Sequence, residues 1–345
     1  MTTHSANTAA RSVPIADRLV AAPRAVPVWL TAIVIVLLPT VISVPLATEI
    51  LIWGIFGLGF NLLLGYAGVL SFGHAAYFGV GAYAAGLTLR HWGVGLLGAL
   101  GISIVVTAAL AAIIGLLAIR RRGVYFAMIS LAFGQMLYFL ALSPMKALTG
   151  GEDGLTHIPG VSFLTLALDR PKPVFYFVAA AAIFLLYFTW RLLQSPFGKA
   201  LQALRENEER ARACGYNTTL VKFVALVLSG MYGGLAGALY TVYLEYVPIT
   251  TLFWLTSGTI VMMTILGGKG TLLGPLIGAA VYLFLQSTIS VFTPRWELFV
   301  GSIFIAIILV FPGGIVGTLQ QWHQRYKART RAVPGRETEK VSTAT

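Results

Sequence analysis

Residues Trp92–Ile119 read WGVGLLGALGISIVVTAALAAIIGLLAI, without one Asp, Glu, Lys or Arg, and are closed off by Arg90 before and Arg120-Arg121-Arg122 after. About 20 helical residues, each rising 1.5 Å, cross the hydrocarbon core of a bilayer. A soluble helix shows an apolar stripe, not an apolar surface all round. The stretch therefore reads as a membrane span. Nine further uncharged stretches flank it: Val26–Ala47, Ile50–Leu70, Phe72–Leu89, Gly123–Met145, Val174–Trp190, Phe223–Leu244, Tyr246–Gly268, Gly270–Pro294 and Leu298–Trp322. Pro39 and Pro45 lie inside the first and are expected to kink it, which spans tolerate better than soluble helices do. Val174–Trp190 is a minimal span. Ile50–Leu70 and Phe72–Leu89 are nearly continuous and rich in glycine, so one of the two is expected to be re-entrant or broken. The expected fold is an all-α polytopic membrane protein with about ten transmembrane helices; the alternative is eight plus a re-entrant pair.

Composition agrees. Of 345 residues, 57% are hydrophobic and 10% charged, where soluble domains carry roughly a quarter charged. The net charge of +12 would suggest nucleic acid in a soluble protein, but here the basic residues sit between apolar runs. With the N-terminus inside and ten crossings, nineteen of the 24 basic residues fall on the cytoplasmic side. That asymmetry fits the positive-inside rule, and an odd number of spans would push one terminal basic cluster outside. Residues 1–25 are expected to be a disordered cytoplasmic segment. The stretch that follows is longer than a signal-peptide core, so it reads as a retained span. Residues 26–322 form the membrane domain, with an external loop at 144–173 and a charged internal loop at 191–222; 323–345 is a basic cytoplasmic tail. Cys214 is the single cysteine, which rules out an internal disulfide and a cysteine-only metal site.

The internal loop carries helix signals. Ser195-Pro196 suits an N-cap followed by N1, and Gly215 suits a C′ position. Glu206/Arg210 and Glu208/Arg212 are i,i+4 pairs in the favourable order, and Leu201, Leu204 and Ala211 share one narrow face. The spacing predicts an amphipathic helix over 199–215. It reads as a solvated connector or as a docking helix for a cytoplasmic partner. Docking would supply what the spans lack. Proton-driven carriers usually place charged pairs inside the bilayer, and none of the ten stretches holds one. His74 is the lone histidine within them, and packing is the plainer reading of it. Gly230/Gly234, Gly233/Gly237 and Gly274/Gly278 are GxxxG pairs that allow close helix approach.

Apparent nucleotide motifs do not hold. Gly79-Val80-Gly81-Ala82-Tyr83-Ala84 lies in an apolar span with no preceding strand. Gly267-Gly268-Lys269-Gly270-Thr271 lacks P-loop spacing. The histidines are scattered without acidic or thiol partners, and no catalytic triad can be assembled. No cofactor, metal or bond-making chemistry is expected.

Six segments together resemble the permease subunits of branched-chain amino acid ABC transporters, M-type. They are Gly65-Tyr66-Ala67-Gly68-Val69-Leu70-Ser71-Phe72-Gly73-His74-Ala75-Ala76-Tyr77 with Gly81-Ala82-Tyr83; Arg122-Gly123-Val124-Tyr125-Phe126-Ala127-Met128; Thr149-Gly150-Gly151-Glu152-Asp153-Gly154-Leu155; Arg205-Glu206-Asn207-Glu208 with Gly215-Tyr216-Asn217; Gly234-Leu235-Ala236-Gly237-Ala238-Leu239-Tyr240; and Leu266-Gly267-Gly268-Lys269-Gly270-Thr271-Leu272-Leu273-Gly274-Pro275. Each alone is weak; in this order they are specific, and they cover about residues 30 to 320. The chain departs at Glu209 and Arg210, where the family's coupling segment usually has more alanine, which bears on which ATPase fits.

The resemblance implies an importer subunit in the bacterial inner membrane, both termini cytoplasmic. Its partners would be a homologous second permease, two cytoplasmic ATP-binding subunits and a periplasmic substrate-binding protein, within membrane lipid. It implies no enzyme activity in this chain. Arg205, Glu206, Glu208, Arg212 and Gly215 would couple it to the ATPases. Asn61, Ser71, His74, Tyr77 and Tyr125, polar or amphipathic groups in apolar spans, are candidates for lining the path, with interhelical hydrogen bonding as the competing role. Branched-chain amino acids are the expected cargo. A urea or short-amide permease is the alternative, and a stand-alone channel or secondary carrier a more distant one.

Overall fold

The computed structural model describes residues 28–322, apart from 122, 161, 164, 165, 168, 169, 312 and 321. The expected N-terminal segment and basic tail lie outside these residues. Ten helices follow the ten uncharged stretches: α1 (Val28–Leu37), α2 (Val44–Asn61), α3 (His74–His91), α4 (Leu96–Ala118), α5 (Val124–Leu142), α7 (Pro171–Gln194), α10 (Thr218–Leu244), α11 (Trp254–Gly267), α12 (Gly274–Phe292) and α13 (Trp296–Val310). Three short helices sit in connections: α6 (Lys146–Thr149), α8 (Pro196–Glu206) and α9 (Glu208–Ala213). A two-residue hairpin pairs Ser162–Phe163 with Leu166–Ala167. The protein is an all-α polytopic membrane protein. Among the described residues seven helical segments are long and apolar enough to cross a membrane: α4, α5, α7, α10, α12, α2 with its continuation to Tyr66, and the segment Trp296–Gln320 that begins with α13. Of the other three, α1 and α11 are short, and α3 is diluted by alanine and glycine.

The first stretch is divided rather than kinked. Pro39 falls in a 3-10 turn, Leu38–Thr40, and α2 begins at Val44 with Pro45 in its first turn, where a missing N–H leaves no bond unmade. Of the two nearly continuous stretches, the third is an unbroken helix, α3, and the second loses helical structure at its end, in a connection over 67–73. α2 continues directly into a π-helix, Leu62–Tyr66, before that connection.

α2 is the central helix, buried over most of its length and packed on α7, α10 and α12. α10 packs on α3 and α4 as well. Glycine makes these contacts possible. A Cβ on Gly234 would lie 2.1 Å from Thr107 Oγ1, and one on Gly237 would lie 1.9 Å from the Phe78 carbonyl oxygen. Gly278 abuts the Met263 carbonyl in the same way, joining α12 to α11. The GxxxG pairs are therefore contact surfaces. Lipid offers little hydrophobic drive for helix association, so packing and interhelical hydrogen bonds carry it. Ser103 Oγ donates to the Gly81 carbonyl at 2.6 Å, Thr241 Oγ1 donates to that of Ala82 at 3.0 Å, and Thr189 meets the Tyr232 hydroxyl at 2.8 Å.

The Thr149–Leu155 segment is a compact knot built on glycine. Gly150, Gly151 and Gly154 have φ of 84°, 64° and 69°, and Leu155 pairs with Val247 through two backbone bonds of 3.0 Å. It ties the end of α5 to the irregular chain before α11.

Candidate functional site

The connection between α7 and α10 is preformed. Ser195 caps α8 by accepting from the Gly198 N–H at 3.4 Å, with Pro196 following. The expected single helix is two. Asn207 adopts an extended conformation (φ −161°, ψ 107°), ends α8, and caps α9 by accepting from the Arg210 N–H at 2.9 Å. Glu206 and Arg210 thus straddle a break. Glu208 and Arg212 remain an i,i+4 pair at 3.6 Å. The close of α9 is a Schellman motif: the Gly215 N–H donates to Arg212 O at 3.0 Å and the Tyr216 N–H to Ala211 O at 3.1 Å, with Gly215 at φ +88°. Asn217 then caps α10.

Leu201, Leu204 and Ala211 are buried, while Arg205, Glu206, Glu209, Arg210 and Arg212 are exposed. The element therefore has an anchored apolar face and an exposed charged one. It is held from beneath by Lys222 of α10, whose Nζ lies 2.7 Å from Glu208 Oε2 although the residue is only 7% exposed.

Arg205 also reaches inward. Its Nη1 donates to the Gly65 carbonyl at 2.5 Å. That carbonyl lies in the last turn of the helical run, where carbonyls have no partner within the helix; the run closes with the Ala67 N–H bonding Leu62 O and the Val69 N–H bonding Leu63 O. Asn61, 1% exposed, binds the loop between α11 and α12 with both ends of its amide, accepting from the Gly270 N–H at 2.8 Å and donating to the Thr271 carbonyl at 2.9 Å. Beside this junction a cavity of about 460 Å³ is lined by Gly68, Leu70, Val124, Phe126, Leu204 and Arg205, among others.

The other candidate path residues are not brought together with it. His74, Ser71 and Tyr77 are fully buried in this chain. Ser229 Oγ donates to the Gly59 carbonyl at 2.6 Å, so it accepts from His74 Nε2 at 2.7 Å. The His74 ring lies edge-on to Phe60 and Tyr77. Ser71 accepts from the Gly73 N–H. Tyr125 is 74% exposed at the start of α5.

A family profile described as "Branched-chain amino acid transport system / permease component" matches residues 42–311, most of the chain. The chain belongs to this family. The permease is 27% identical over 297 residues to the high-affinity branched-chain amino acid transport system permease protein LivM of Salmonella typhimurium, covering 79% of this chain and 70% of the relative. It is 25% identical to the probable LivM of Methanocaldococcus jannaschii, covering 79% and 94%. A shorter match, 28% identical over 166 residues, covers 45% of the chain and 48% of the autoinducer 2 import system permease protein LsrC of Salmonella choleraesuis. No solved structure gives a significant match.

Sequence reasoning about this permease missed three features. Asn207 was readable as a cap, because Asn followed by Glu208-Glu209 is a helix-start pattern. Lys222 gave no signal, since it lies next to the charged loop and burial is not written in its neighbours. Ser130 and Ser257 were also silent. They accept from the Phe72 and Ala75 N–H groups at 3.0 and 2.8 Å, satisfying the start of α3 from α5 and α11.

Proposed function

We propose that this permease is one half of the translocation unit of an ATP-driven importer of branched-chain amino acids in the bacterial inner membrane. A homologous permease would pair with it, a periplasmic binding protein would deliver substrate, and two cytoplasmic ATP-binding subunits would supply the work. Both termini and the α8–α9 element would face the cytoplasm. The observation that carries the reading is the α8–α9 pair: a capped, anchored element with an exposed charged face, attached to spans whose ten uncharged stretches hold no Asp, Glu, Lys or Arg for harvesting an ion gradient. The LivM relatives are named for branched-chain amino acid transport, which supports that cargo class. This chain performs transport only; it carries no phosphate-cradling loop, so hydrolysis belongs to the partner subunits.

The test is reconstitution of the permease with its partner subunits in proteoliposomes. Radiolabelled leucine uptake should require ATP, the ATP-binding subunits and the binding protein together, and unlabelled isoleucine or valine should compete. Uptake by the permease alone, or uptake of urea and not leucine, would overturn the assignment.

A further inference from the structure

We propose that Arg205, Asn61, Gly65 and Gly270 form a mechanical joint that carries movement of α8 into α2 and the α11–α12 loop. The proposal rests on the reading of α8–α9 as the docking element, and assigns the step that follows docking. Three separate parts of the chain meet here at the backbone. Arg205 leaves the otherwise outward-facing end of α8 to bond the Gly65 carbonyl, and Asn61, on the turn before, holds Gly270 and Thr271 by two hydrogen bonds. The loop is braced in turn by Thr271 Oγ1 donating to the Gly268 carbonyl at 2.8 Å.

Sequence identity at the joint is dictated by space. A Cβ on Gly65 would lie 1.9 Å from Asn61 Oδ1 and 2.6 Å from the Gly270 nitrogen. A Cβ on Gly270 would lie 2.4 Å from Arg205 Nη1, and its φ of +79° disfavours any side chain. Gly65 lies in the last turn of the helical run, where carbonyls have no partner within the helix, and that turn is a π-turn, a distortion that recurs at functional sites. A guanidinium is always charged, so its bond to the carbonyl is charge-assisted and stronger than one from a neutral side chain. α2 is the most buried span, so displacement of its end is delivered to α7, α10 and α12, which pack on it.

The experiment compares Arg205→Ala, Asn61→Ala, their double variant and Arg210→Glu in the complete reconstituted transporter. Three quantities are read: co-purification of the ATP-binding subunits, ATP hydrolysis stimulated by leucine-loaded binding protein, and leucine moved per ATP. Arg205→Ala should keep the ATP-binding subunits bound and hydrolysing, while leucine moved per ATP falls about tenfold, within the range of coupling between sites. The double variant should be no worse than the worse single one, as expected of residues acting as a unit. Arg210→Glu, on the exposed face of α9, should instead weaken co-purification. Wild-type leucine per ATP in Arg205→Ala overturns the joint, as does additive loss in the double variant. Loss of the ATP-binding subunits from Arg205→Ala also overturns it, by making Arg205 a docking contact. Unchanged co-purification in Arg210→Glu would count against the docking reading and not against the joint.

Discussion

Lys222 and Glu208 form an ion pair at 2.7 Å with side chains 9% and 19% exposed. Removing one partner of a buried pair strands the other charge and costs roughly 3–5 kcal/mol, whereas replacing both with apolar groups is often tolerated. Glu208→Gln should therefore lower the thermal unfolding midpoint of the detergent-solubilised permease, and Glu208→Leu with Lys222→Met should recover much of it. A midpoint unchanged in Glu208→Gln would show that the pair contributes little. His74 makes a different case. Its Nε2 meets the Ser229 hydroxyl at 2.7 Å, and its ring is packed against Phe60 and Tyr77. We expect His74→Gln, which keeps a donor, to leave leucine uptake and its pH profile largely intact. A selective loss of pH dependence at normal expression would assign the ring a proton-handling role. Asn61 shows how far residue type can carry a reading. Its polarity in an apolar span marked it as significant, but its hydrogen-bond partners lie over 200 positions away in sequence, and nothing in the sequence names them.

At the scale of elements, the α8–α9 pair was legible at both ends and illegible in the middle. Ser195-Pro196 and Gly215 mark local backbone conformations that depend on a few adjacent residues, so they are read directly. The break at Asn207 is a competition: Glu206/Arg210 spacing favours continuity, and the Asn207 side chain offers the backbone a cap instead. The cap prevails with support from Glu208 and Glu209 in the first turn of α9. Two changes probe the element. Glu206→Arg alters an exposed charge at the end of α8 without touching the buried pair, and it should impair binding-protein-stimulated ATP hydrolysis of the assembled transporter while leaving permease pairing intact. Gly215→Pro should do more, because proline cannot adopt φ near +88° and the Schellman turn would be lost. Normal hydrolysis in both would make α8–α9 a passive connector.

For the whole molecule, the uncharged stretches located ten apolar helices among the described residues because exclusion of charge from lipid is a constraint on every residue of a span. The first boundary was displaced because two prolines spaced six apart can bend one helix or separate two, and tertiary packing of α2 decides which. Sidedness is tested by cysteine labelling in a Cys214→Ser background. A cysteine at Gln202 should react only with membrane-permeant reagents in intact cells, and labelling from the periplasm would reverse the topology. The packing of α3 has a further consequence, for biosynthesis. α3 is rich in alanine and glycine, less apolar than the seven long spans, and its glycine face fits α10, with Gly81 against Gly234. The ribosome therefore releases α3 well before the helix that completes its surroundings. Nascent chains ending before Thr218 should hold α3 only loosely in the bilayer, and chains extended past Leu244 should secure it. A truncation series with a reporter in the α3–α4 turn would register the change as late, post-insertional locking rather than stepwise threading; equal protection at every length would mean that α3 is retained by lipid alone.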